Sequence, residues 1–124
     1  MSKILIKSLL HNKRENKFYS DEVIGLRTDK IKFITDKVVN ILTIYEDKIT
    51  LKRKCDEYEV EMTFDKDNIT TGKYYVKSLG YFNLEVKTNE LVIKDDSIEI
   101  NYIMSLESQR TEFLYKLDWR NYDK

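Results

Sequence analysis

The chain has 124 residues, which excludes a large multidomain protein and leaves room for one domain with a sizeable core. Apolar residues make up 41% and aromatic residues 12%, which excludes a disordered chain. Lys+Arg and Asp+Glu balance at 22 each, so no long-range field draws phosphate-rich partners, and nucleic acid is not an expected partner.

Short apolar/polar alternations run from Lys3 to Trp119. They predict strands near 3–10, 17–27, 29–35, 38–45, 48–54, 58–64, 69–78, 80–88, 90–94, 98–107 and 110–119. Some neighbours should merge, leaving eight to ten strands. Tyr58, Val60, Met62 and Phe64 form one face, and Ile98, Ile100, Tyr102, Met104 and Leu106 another. Segments 3–10 and 38–45 are apolar on both parities, which predicts strands covered on both faces. A helix has room only near 20–26 or 38–45, and the β-branched content of the second favours a strand. The separators are short and polar, such as Asp36-Lys37, Glu46-Asp47 and Asp95-Asp96. Asp and Asn tolerate positive φ, so such turns need no glycine. Gly25, Gly72 and Gly80 lie inside or beside strand segments, where glycine marks a bulge or bend that a closing sheet requires. The expected fold is all-β: one closed antiparallel barrel over residues 1–124, with closure removing exposed edges.

The lone cysteine, Cys55, excludes an intrachain disulfide and favours a reducing compartment. Residues 1–10 lack the long apolar region and cleavage site of a signal peptide, and no run has the length of a membrane-spanning helix. The cytoplasm is therefore expected. Alanine and proline are both absent while Lys, Ile, Asn and Tyr abound, which reads as an AT-rich genome.

Chemistry-bearing constellations are sparse, and no catalytic, metal or cofactor site is predicted. His11 is the only histidine and sits beside a predicted turn, where a solvated role is expected. Cys55 follows Lys52-Arg53-Lys54, the kind of basic setting in which nucleophilic thiols occur, but a turn-side bystander is the simpler reading. Asp65-Lys66-Asp67-Asn68 has the spacing of a calcium-loop start without its glycine or distal glutamate, and reads as a solvated turn. Lys73 to Lys77, with Tyr74 and Tyr75 between, matches a stacking platform for single-stranded nucleic acid, but equally an ordinary strand.

Parity offers a sharper clue. If Ile49 and Leu51 face inward, so does Arg53; if Phe18, Ile24 and Leu26 do, so do Ser20 and Glu22. Asn40 shares a face with Leu42 and Ile44, and Tyr75, Tyr102 and Tyr115 fall on apolar parities. Glu22, Asn40, Arg53, Tyr75, Tyr102 and Tyr115 are therefore the candidate lining of a mostly apolar cavity with polar handles. Arg53 would hold a carboxylate or phosphate. Alternatively it pairs with Glu22, or stacks on Trp119 as a plug, with the tyrosines bonded to one another.

From about Lys30 to Trp119 the chain resembles the YwiB-like family of bacterial proteins. The pieces are Ile44-Tyr45-Glu46, the strand ending Leu51-Lys52-Arg53, residues 60–64, residues 75–82, Thr88 and residues 98–102, in that order and spacing. Where the family has a glycine soon after the arginine, this chain has Lys54-Cys55-Asp56-Glu57, and its Asp36-Lys37 hairpin is shortened. The resemblance implies a closed calycin-like, lipocalin-related barrel and carries no activity; fold alone does not license one.

Two functions follow as expectations. The first is a container for a small apolar or amphipathic ligand inside the barrel. The second is an interaction or homodimerising module with a side-chain-filled barrel, using exposed Tyr19, Tyr74, Tyr81 and Tyr122. An enzyme would have to run on carboxylates, tyrosines or arginine without histidine, and no fixed spacing supports one.

Overall fold

The computed structural model describes residues 2–122. Ten strands follow one another: β1 (Ser2–Asn12), β2 (Lys17–Arg27), β3 (Lys30–Thr35), β4 (Val38–Tyr45), β5 (Lys48–Lys54), β6 (Tyr58–Asp65), β7 (Ile69–Val76), β8 (Gly80–Ile93), β9 (Ser97–Leu106) and β10 (Gln109–Asn121). Each pairs antiparallel with the next, and β10 pairs with β1 to close the barrel. Segments 80–88 and 90–94 are one strand, β8, broken in register by a bulge between Thr88 and Glu90. Both candidate helical segments are strands. Among the described residues no helix is long and apolar enough to cross a membrane.

The turns work largely without glycine. Asp36 (φ 48°) and Lys37 (φ 67°) take positive φ in succession, the conformation of the tight primed hairpin whose twist matches its strands. Asn16, Glu46 and Glu107 take single positive φ values at other turns. Gly80, at φ 93°, is the first residue of β8, beside the turn that precedes it, in line with the expected place inside or beside a strand. Gly25 and Gly72 lie inside strands as expected.

Alternation fills the barrel. Ile4 and Ile6 of β1, Leu42 of β4, Ile49 and Leu51 of β5 and Phe64 of β6 point inward and are buried. Leu84 and Val86 of β8, Ile98 and Ile100 of β9 and Leu117 of β10 meet them. Each such side chain contributes about 1.5–3 kcal/mol when fully buried. The middle of the barrel is thus a side-chain core, the filled one of the two expected interiors. No second layer covers β1 or β4, contrary to the double-apolar reading. Leu5, Leu9, Val39 and Ile41 are instead half-buried among neighbouring side chains on the outer wall.

The two interior glycines mark where the sheet turns sharply. A Cβ at Gly72 would lie 2.5 Å from the Glu61 carbonyl oxygen and 2.6 Å from Leu84 Cδ1. A Cβ at Gly25 would lie 2.5 Å from Ile6 Cδ1 and 2.8 Å from the Lys32 carbonyl oxygen. Gly25 stands where β2 and β3 part. Those strands share only the pairs Leu26–Lys32 and Arg27–Ile31, although β2 pairs with β1 along its whole length.

Candidate functional site

The parting of β2 from β3 opens a cleft of about 870 Å³ at the end of the barrel carrying the Asp36-Lys37 hairpin. Its walls include Tyr19 and Asp21 of β2, Phe33 and Thr35 of β3, and Asn40 and Arg53 from β4 and β5. Tyr58 and Tyr115 also reach it. The volume lies within the range of small-molecule sites.

Arg53 continues the inward face of Ile49 and Leu51, and it pairs across the ladder with Asn40. Asn40 is buried, and its amide is fully used. Its Nδ2 donates to Thr35 Oγ1 at 3.0 Å and to the Val38 carbonyl at 3.1 Å, with the Phe33 carbonyl at 3.4 Å. Its Oδ1 accepts from Arg53 Nε at 3.0 Å. One edge of the guanidinium is therefore anchored, leaving its terminal N–H groups as further donors. Among the described residues, no carboxylate lies within ion-pair distance of Arg53.

Three phenols share the neighbourhood of this charge. Burial pushes the Tyr102 and Tyr115 hydroxyls well above the ordinary phenol range, against a smaller opposing pull from Arg53. Tyr58 is raised for the same reason, with the same opposition. All three remain neutral donors near neutral pH, so no phenolate offsets the guanidinium charge, and the carboxylates of the cleft wall, Asp21 and Asp36, form no ion pair with it.

The structure brings together only part of the expected lining. Asn40, Arg53 and Tyr115 line the cleft. Tyr102 lies deeper, against Phe64 and Phe113 with ring centroids 4.7 and 5.3 Å away. Glu22 is on the outer wall, 3.7 Å from Lys7 Nζ, so it neither lines the cleft nor pairs with Arg53. Tyr75 is also outward, 4.7 Å from the ring of Tyr81, while Tyr74 takes the inward place against the core. Tyr74 is thus a packing residue and not an exposed interface tyrosine. Phe18, Ile24 and Leu26, whose inward placement was the condition for an inward Glu22, are 61%, 50% and 37% exposed. Trp119 receives Arg27, at 5.4 Å, and not Arg53. That pair lies beside a separate cavity of about 590 Å³ lined also by Ile31, Leu42 and Ile93.

The remaining chemical candidates resolve into structure. Asp65 accepts the Asn68 amide at 2.9 Å and the Asp67 backbone N–H at 3.3 Å, so its spacing serves a turn. His11 stacks on Phe18 with centroids 4.0 Å apart, beside Asn16. Cys55 is a partly buried free thiol in the β5–β6 turn. Sequence reasoning missed Tyr58 and Thr35, although both share a parity with core residues. Asp21 and Tyr19 carried no such signal, because their role depends on the parting of β2 from β3.

The crystal structure of ywiB protein from Bacillus subtilis superposes with a TM-score of 0.65 at 13% identity, covering 98% of this chain and 91% of that one. At that identity the likeness concerns the fold alone. No curated protein matches the sequence. The family model described as a domain of unknown function, DUF1934, matches residues 28–117. That span runs from the turn before β3 almost through β10, and on it the chain belongs to the DUF1934 family.

Proposed function

We propose that this protein is a single-domain, calycin-like container of the cytoplasm that binds a small amphipathic anion. The ligand sits in the cleft at the open end of the barrel and not in a central lumen. One observation carries the reading. The Arg53 guanidinium is held by Asn40 at one edge, borders a cleft of about 870 Å³, and has no carboxylate partner among the described residues. A half-buried cation of this kind is stabilised by an anion that accepts its remaining N–H groups. Phe33, Leu10 and Tyr115 supply apolar wall for the rest of the ligand.

Calorimetric titration with decanoate and decanol tests it. Decanoate should bind and decanol should bind at least about tenfold more weakly, because the charge-assisted bonds are worth about 1.5–3 kcal/mol. Arg53→Ala should abolish the difference. Equal affinity for acid and alcohol, unchanged in the variant, would sink the proposal. Native mass spectrometry of protein isolated from its own host should show a bound anion that the variant lacks.

The filled core favours a second reading, an interaction module. Its strongest physical basis is the edge of β2.

A further inference from the structure

β2 has two different edges. Toward β1 it is paired from Lys17 to Arg27. Toward β3 the ladder stops after Leu26; β3 still lies against Gly25, with the Lys32 carbonyl oxygen 2.8 Å from where a Cβ would stand, and the backbone of Lys17–Ile24 has no strand partner on that side among the described residues. The cleft touches Phe18, Tyr19, Ser20 and Asp21 in succession. Consecutive residues of a strand point to opposite faces, so a cavity lined by all four borders the strand's edge and not one face. Apolar side chains flank the gap from both sides: Phe18 and Ile24 on β2, and Ile34 on β3, are each at least half exposed. Closed barrels exist without free edges, so an open one flanked by apolar groups is a template for another chain.

We propose that this edge is a docking site for an extended segment of another protein, carrying apolar residues opposite Phe18 and Ile24 and a basic residue opposite Asp21. Free backbone N–H and C=O groups in register are matched by another extended backbone, and alternate side chains then give selectivity. Phe18 and Ile24 share the outer face, while Asp21, opposite Ser8 in the β1 ladder, lies on the cleft face midway between them.

Charge argues against a second copy as the occupant. Antiparallel self-pairing about a twofold axis, with Phe18 opposite Ile24, places Asp21 directly opposite its own copy. Slipping the register by two residues sets Phe18 against Glu22 one way, and Glu22 against itself the other. Like charges directly opposite destabilise a pair, and apolar against carboxylate forfeits the match. A partner strand with lysine or arginine at the central position fits where the chain itself does not.

The test uses a capped, dansyl-labelled peptide of about nine residues, the label being uncharged near neutral pH, a typical strand length or slightly more. It has isoleucine at its second and eighth positions, lysine at its fifth and threonine elsewhere. Capping leaves it without a carboxylate, so its binding is read apart from anion binding at Arg53. Anisotropy should show saturable binding, weakened at least about tenfold when alternate backbone amides are N-methylated. Asp21→Lys should weaken it and should strengthen binding of the peptide with glutamate in place of lysine. Three results would overturn the proposal. One is no binding of the lysine peptide at about 1 mM, and another is equal binding of its N-methylated form. The third is a protein dimer in sedimentation that Ile24→Lys abolishes, which assigns the edge to a second copy.

Discussion

Replacing Asn40 with alanine tests whether the site is built as described. The side chain is buried and makes two good neutral hydrogen bonds, to Thr35 Oγ1 and the Val38 carbonyl, and one bond from the Arg53 guanidinium. A neutral bond contributes about 1 kcal/mol and one to a charged group about 1.5–3. Water in the half-open cleft can replace part of what Arg53 loses, so the net cost should be about 3 kcal/mol. That is a large fraction of the stability of a typical small domain. Urea unfolding followed by circular dichroism, at fixed m, gives the difference directly. Thr35→Val removes one acceptor and should cost about 1 kcal/mol. The double variant should cost less than the two singly, because they share a bond. Asn40→Ala should also loosen Arg53 and weaken decanoate binding. A loss of stability below about 1 kcal/mol, with decanoate binding intact, would refute the idea that Asn40 both ties β3 to β4 and aims the guanidinium.

Gly25→Ala should destabilise the protein by about 1–3 kcal/mol in the same unfolding assay, since a Cβ there meets Ile6 inside and the Lys32 backbone beside it. A neutral result would mean that β2 and β3 do not part at a close contact. Asp65 has its carboxyl held below the ordinary aspartate range, first by the Asn68 side-chain bond and then, against desolvation, by the Asp67 N–H and Lys48. A group lowered on folding adds stability that is present above its unfolded pKa and lost as pH falls through the folded value. Wild type should therefore lose more stability than Asp65→Asn as pH drops below about 4. Parallel pH profiles for the two proteins would contradict this.

Strands and turns were readable because each rests on local physics. Alternation puts every second side chain inside, and Asp, Asn and Glu at the turns accept positive φ without glycine. Arg53 with Asn40 was readable too, since each continues an unbroken apolar parity in its own strand. Glu22 and Tyr75 were misplaced for one shared reason. In both strands the inward face contains a glycine, Gly25 or Gly72, and a neighbouring strand fills the missing volume: Ile6 and Phe33 over one, Leu84 over the other. The inward set thus reads as polar and the outward set, with Phe18, Ile24 and Leu26, as core.

The chain by itself determined an all-β protein, nearly every strand boundary, and an arginine and an asparagine set on inward faces. The tertiary structure alone decided where the sheet parts, because the length of a ladder depends on how strands curve around a filled core. That parting put the cavity at the open end, brought Asp21, Thr35 and Tyr58 to the wall around Arg53, and left β2 with a bare edge.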